Sequence, residues 1–318
     1  MPKRKILGCS LPVLILIVLV LLALTVVGFL SGPIGKSMVG DLGLPFGLER
    51  PEPKLPAEIV FHLFGFPVAN SVIGAWITII VLVAFSYAAT RRMKIIPGRL
   101  QTVFEFMMTG LYNFCQSVAG EKNGRRFFPV VATIFLFVGF NAWLSLVPGF
   151  GSIWITDPGG HHVHLLRGAN TDINMPLALA LVSFISVEFF GLRTLGIRYL
   201  NKFFNVGPVF RSIRTIFSGK LSAGLNSLLT AVIGVFIGLL ELLSEFIRIV
   251  SFTFRLFGNM TAGEILLLVA AFLVPWVFAL PFYGLELLIG FLQALIFGGL
   301  TLIFLTMAVA HHGVEPAE

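Results

Sequence analysis

Six stretches of this chain are too long and too apolar for a water-soluble core. They are Ile6–Leu30, Asn70–Ala89, Phe127–Val147, Met175–Leu195, a run from about Ser222 to Ala271, and Gly284–Ala310. About 20 apolar residues suffice for a helix to cross the hydrocarbon of a bilayer. Hydrophobic residues make up 57% of the 318 and charged ones only 12%. A soluble domain carries about twice that share of charge, and a fold of this length cannot bury so much apolar surface. The apolar residues come in runs and do not alternate with polar ones, which predicts spanning helices and not a barrel. The expected fold is an all-α polytopic membrane protein. A disordered chain, a disulfide scaffold and a soluble enzyme are set aside. The net charge of +7 would suggest nucleic acid in a soluble protein; in a membrane protein it marks cytoplasmic loops.

The basic residues support this. Lys3, Arg4 and Lys5 precede the first stretch, and Arg91, Arg92, Lys94, Arg99, Lys122, Arg125 and Arg126 separate the second from the third. Arg193, Arg198, Lys202, Arg211, Arg214 and Lys220 separate the fourth from the fifth. The intervening connections carry few: Arg167 alone between the third and fourth stretches, none between the last two. The positive-inside rule therefore places the N-terminus, 90–126 and 196–221 in the cytoplasm. The first stretch reads as a retained helix, a cleaved signal sequence being the alternative. Cys9 and Cys115 form no disulfide framework, and Cys9 precedes the apolar core that a lipid-attachment box should follow. The expected division is 1–30 as an N-terminal transmembrane helix or signal-like segment, 31–69 as an irregular external loop rich in Pro and Gly, and 70–318 as the membrane domain.

From Leu100, the residues Val103, Phe104, Met107, Leu111, Phe114, Cys115 and Val118 recur at helical spacing, with Gln101, Glu105, Thr109, Asn113 and Gln116 opposite. This predicts an interfacial helix on the cytoplasmic side, or else a helix packed on protein. His161, His162 and His164 with Asp157 could hold zinc, but a solvated loop is the reading preferred. His311 and His312 read as a solvated tail. Trp143, Trp154 and Trp276 read as interface anchors. Glu188, in an otherwise apolar helix, either snorkels or joins an ion path.

The fifth stretch is the informative one. It runs for about 50 residues without proline, about 75 Å as a straight helix against about 30 Å of hydrocarbon. It must break or lie strongly tilted, as against a partner surface. It carries Glu241, Glu245, Arg248, Arg255 and Glu264. A charge near the bilayer centre costs about 2.5–3.5 kcal/mol on insertion scales, so such residues mark an ion path or are paired internally. Glu245 and Arg248 can pair at i, i+3; Arg255 has no acid three or four residues away. At about 100° per residue, Glu241, Ser244, Arg248 and Asn259 all fall within about 40° of Arg255, and Glu264 falls opposite.

The decapeptide Arg255-Leu256-Phe257-Gly258-Asn259-Met260-Thr261-Ala262-Gly263-Glu264 resembles the signature of subunit a of F-type ATP synthases. Ala169–Asn174, Pro97–Gln101, and Glu286 with Gln293 in a run ending at His312 resemble further motifs of that family; the likeness spans about 57–312. It implies a stationary proton-translocating subunit, with two long tilted helices against a rotating ring of c subunits and with b-type peripheral stalk subunits as further partners. The bacterial plasma membrane is the implied setting. Both termini would be cytoplasmic if the first helix is retained. By resemblance, Arg255 faces the ring carboxylate, with Asn259 beside it and Gln293 approaching it. Glu241, Ser244 and Arg248 would line the cytoplasmic half-channel, and Glu264, Glu286, Asp172 and Asn174 the external one. Members often pair a histidine with a carboxylate where this chain has Glu264 and Glu286, so two acids are expected to share protons here. No cofactor, metal or nucleic acid is implied. No Walker-type loop is present, so the chain is expected to be non-catalytic by itself. The rival reading is an ion-coupled secondary transporter, which usually shows internal repeats; no repeat is seen. An intramembrane hydrolase would need a nucleophile and base. Co-purification of a small apolar c-type subunit separates the three.

Overall fold

The computed structural model describes residues 5–6, 9–40, 56–156, 162–203, 208, 211–212 and 221–310. Its long helices are α1 (Leu11–Ser31), α3 (Asn70–Thr90), α4 (Arg99–Ser145), α5 (Asn174–Leu195), α6 (Leu221–Leu273) and α7 (Leu280–Ala310), with a short α2 (Pro33–Val39). Among the described residues, six helices are long and apolar enough to cross a membrane. The protein is an all-α polytopic membrane protein. The short strands pair only as isolated two-stranded hairpins: β1 (Lys5–Ile6) with β2 (Cys9–Ser10), β3 (Ile59–Leu63) with β4 (Phe66–Ala69), and β5 (Trp154–Thr156) with β6 (His162–His164).

Three expectations are adjusted. The first apolar helix starts at Leu11, because Ile6 lies in the β1–β2 hairpin. Within 31–69, the described residues include regular elements. Pro33 at the first turn starts α2, where its missing N–H is harmless, and Ile59–Ala69 forms a hairpin. Phe64 and Gly65, at its tip, both have positive φ, 51° and 86°, as a tight two-residue turn demands. Gln101, expected on the polar face of its helix, is buried. Its amide caps Lys94, donating to the Lys94 carbonyl at 3.0 Å and accepting from the Lys94 N–H at 3.2 Å.

α4 is two helices in one. Gly120, at φ 75° and ψ 167°, interrupts the helical backbone between them. The expected helix after Leu100 is its first part. That part buries Leu111, Cys115 and Ala119 while leaving Leu100, Val103 and Val118 exposed, so the apolar face is only partly covered by protein. Gly124 then lies tight against the Cys115 carbonyl, so the chain turns sharply at the break.

The chain divides into two compact units. One contains residues 1–75, 141–172 and 258–292. In it, Gly28 of α1 and Gly32, which caps α2, sit against the backbone carbonyls of Pro275 and Leu273, where a Cβ would overlap. The rest of α1 is apolar all round and exposed, as a lipid-facing helix is. Trp143 donates its indole N–H to the Leu287 carbonyl at 3.1 Å, and Gly290 packs on Ala142. The other unit contains residues 76–140, 173–257 and 293–318. Its core gathers Phe127, Val131, Val138, Leu256, Ala294, Leu302 and Leu305, all fully buried. Gly298 of α7 meets Val131 and Phe135, Ser183 shares a hydrogen bond with Thr301 at 2.8 Å, and Phe252 packs on Phe297 and Phe304.

Candidate functional site

α6 is one helix of 53 residues, about 80 Å long. Its Leu256 is fully buried, but Arg255 next to it is exposed, amid exposed Phe254 and Val250. Among the described residues, Arg255 donates to Ser251 Oγ at 3.4 Å and lies 5.9 Å from the centroid of the Phe252 ring. Among the described residues no carboxylate pairs with it. Ser244, Ser251 and Asn259 are exposed as well. A guanidinium stays charged at any working pH, so this face of the helix carries a fixed positive charge.

Further toward the start of α6 the polar residues are occupied. A 3-10 turn, Gly196–Lys202, follows α5. Gly238 has no side chain, so the carbonyls of Lys202 and Phe203 press directly on α6. That approach puts Lys202 Nζ 2.6 Å from Glu241 and 3.2 Å from Glu245, which lie four residues apart on one helix face. Glu245, almost wholly buried, also pairs with Arg248 at 2.6 Å, the i, i+3 pair expected from spacing. Arg248 is half-buried, with its guanidinium 3.6 Å from the centre of the Phe304 ring, a close cation–π contact. Tyr199 donates its hydroxyl to Glu188 at 3.2 Å. Burial, helped by the negative charges of Glu188 and Glu245, pushes the Tyr199 phenol above its ordinary range, so it acts as a donor and not an anion.

In the other unit a second cluster forms around Arg167. Its Nη2 lies 3.3 Å from Glu264 Oε2, its Nε donates to Thr171 Oγ1 at 3.1 Å, and its Nη1 donates to the Pro56 carbonyl at 3.1 Å. Gly74 of α3 lies against the Arg167 carbonyl, too close for a Cβ. Asp172 is buried and accepts a hydrogen bond from Ser71 Oγ at 2.6 Å. The Glu286 carboxylate is lodged against Gly263, where a Cβ would overlap it. Glu286 is buried and, among the described residues, has no ion pair.

The family model described as ATP synthase A chain matches residues 72–306. The chain belongs to this family. It is 30% identical over 233 residues to ATP synthase subunit a of Helicobacter hepaticus, covering 73% of this chain and 86% of the relative. It is 30% identical over 258 residues to ATP synthase subunit a of Moorella thermoacetica, covering 81% of this chain and 98% of the relative. A third relative, ATP synthase subunit a 1 of Pelobacter propionicus, is 32% identical over 237 residues, covering 74% of this chain and 86% of the relative. The matched span takes in α3 to α7 and leaves α1 and α2 outside it.

Within this family member the residues singled out from sequence fall into different settings. Arg255 and Asn259 are exposed, Gln293 is buried, and Asn174 opens α5. The structure pairs Glu264 with Arg167 and lodges the Glu286 carboxylate against Gly263, the residue before Glu264. Arg248 is turned to Glu245 and Phe304 and not outward with Arg255. Lys202, Tyr199 and Arg167 carry no local signal. The nearest hint is that Arg167 is the lone basic residue of its connection and stands five residues before Asp172. Among the described residues no group of three or more His, Cys, Asp or Glu could hold a metal; Asp157, His161, His311 and His312 lie outside those described. His164 instead has ring Nδ1 2.7 Å from the Gly151 carbonyl and stacks on Trp154, 3.7 Å between centroids.

Proposed function

We propose that this chain is the stationary proton-translocating subunit of an F-type rotary ATP synthase, non-catalytic by itself. It works against a ring of c subunits and is held by b-type peripheral stalk subunits. Its setting is the bacterial plasma membrane, with 90–126 and 196–221 on the cytoplasmic side. The observation that carries this reading is Arg255, an exposed guanidinium that no acid among the described residues pairs, in the middle of an apolar spanning helix. Such a charge is costly in lipid and is satisfied by a carboxylate brought to it from outside the chain. A ring carboxylic acid arriving beside a fixed guanidinium gives up its proton, because the opposite charge favours the ionised form. The same charge repels a proton crossing directly between two half-channels.

Protons reach the ring through an external half-channel lined by Glu264, Glu286, Asp172 and Asn174. They leave through a cytoplasmic one lined by Glu241, Ser244 and Arg248, with Asn259 and Gln293 near Arg255. Family membership and the separation of the titratable residues into two clusters support this arrangement. The test is a disulfide cross-link. In a chain with Cys9 and Cys115 replaced by Ala, Ser251→Cys or Asn259→Cys is paired with a cysteine one turn from the carboxylate of the small apolar c-type subunit. A cross-linked product is expected from at least one position. Its absence from both, in a complex that purifies intact, overturns the reading.

A further inference from the structure

Arg167 is held in place from several sides. Its side chain is only 10% exposed, whereas that of Glu264 is 37% exposed. Thr171 Oγ1 and the Pro56 carbonyl accept from its Nε and Nη1, and its own backbone carbonyl is packed on Gly74. Thr171 is itself fixed, because its hydroxyl donates to the Gly168 carbonyl at 2.8 Å. A guanidinium so placed keeps its charge and keeps its position. Glu264 is 3.3 Å from it. If Glu264 took up a proton, a largely buried guanidinium would lose a counter-charge, which is strongly unfavourable. Glu286 differs on each point. It lies against Gly263, the residue next to Glu264, it is buried, and among the described residues it has neither an ion pair nor a hydrogen bond. Of the two carboxylates at this stretch of α6, the one on Glu264 is thus tied to a fixed cation and the one lodged against Gly263 is not.

We infer that Arg167 is a positioning residue of the external half-channel: it holds Glu264 as a fixed counter-ion, and Glu286 is the acid that receives the proton and passes it on. This rests on the proton-translocating reading above. It divides between two residues a task that two adjacent acids could otherwise share.

The test is a double-mutant cycle on the whole complex in inverted membrane vesicles. It reads ATP-driven proton pumping, with membrane-bound ATPase as the measure of assembly. Glu264→Gln leaves the guanidinium uncompensated, and its charge repels incoming protons. Arg167→Gln leaves the Glu264 carboxylate uncompensated, and that carboxylate traps them. Each single change is expected to slow pumping about tenfold, and the double Arg167→Gln/Glu264→Gln to recover most of that loss, since it leaves no uncompensated charge. Arg167→Lys, which keeps the charge but not the guanidinium's separate contacts, is expected to pump faster than Arg167→Gln. Glu286→Gln is expected to block pumping in both the parental and the double-Gln background. A double variant no faster than Glu264→Gln alone, equally assembled, overturns the inference, because Glu264 is then on the path. Parental rates from Arg167→Gln or from Glu286→Gln overturn it too.

Should Arg167→Gln fail to assemble, Glu264→Asp decides the matter. A counter-ion moved back by one methylene still compensates the guanidinium in part, so the loss should be no more than a few-fold, whereas a relay acid moved out of reach would lose about a hundredfold. A loss of that size in assembled complex overturns the inference. Failure of the underlying reading looks different: Arg255→Ala would then pump at the parental rate whatever stands at 167, 264 or 286.

Discussion

Lys202 holds two carboxylates of α6 at once, and one of them, Glu245, is also held by Arg248. With Lys202 removed, Glu245 keeps one cation while Glu241 keeps none that the structure shows. Breaking a buried pair costs about 3–5 kcal/mol, and an exposed pair about 0–1. The Lys202 side chain is 23% exposed and that of Glu241 38%, so the interaction lies between these limits. Lys202→Met is expected to lower stability by about 1–3 kcal/mol, read as an earlier thermal transition of the detergent-solubilised complex. Lys202→Arg should recover much of it, and a Met variant with an unchanged transition would mean that the pairs contribute nothing. These residues also show why parts of the site were not legible in the sequence. Lys202 meets Glu241 and Glu245 across some 40 residues, and Arg167 meets Glu264 across 97. No local spacing links such partners. The pair at 245 and 248 was legible because three residues along a helix put both groups on one side.

Among the elements, the spanning helices were readable from apolar runs alone, since lipid demands both their length and their composition. What was not readable is how the connections are shaped. The hairpin at Ile59–Ala69 turns on Phe64-Gly65 and not on the Asn-Gly or Asp-Gly pair that usually announces such a turn, so it read as loop. The break inside α4 rests on Gly120, whose φ of 75° is open to glycine and strained for other residues. No atom lies within 4 Å of a Cβ built there, so a substitution meets no steric obstacle and its cost is backbone conformation alone. Gly120→Ala is expected to cost about 1–3 kcal/mol, seen as a lower thermal midpoint with the complex still assembled. Gly110→Ala, in the same helix, equally unobstructed and without a positive φ, should be neutral or stabilising. An identical shift for both would show that the break does not depend on the left-handed backbone.

For the whole molecule, the family and the membrane class were readable from one decapeptide and six apolar runs, and the family match over 72–306 bears both out. The two clusters pair their charges internally, whereas Arg255, within a spanning helix, is exposed and among the described residues has no acidic partner. If that cation acts on a passing ring carboxylate, its loss should uncouple the complex without dismantling it, because Arg255 contributes little to the internal packing. The most direct test is proton-driven ATP synthesis in vesicles carrying Arg255→Ala, with ATP hydrolysis by the detached soluble sector and assembly measured alongside. The expected result is no synthesis above background, with hydrolysis and assembly retained. Arg255→Lys should also fail to synthesise, because a compact ammonium lacks the planar fork and can lose its proton in an apolar setting. Synthesis by Arg255→Ala at the parental rate would contradict the account.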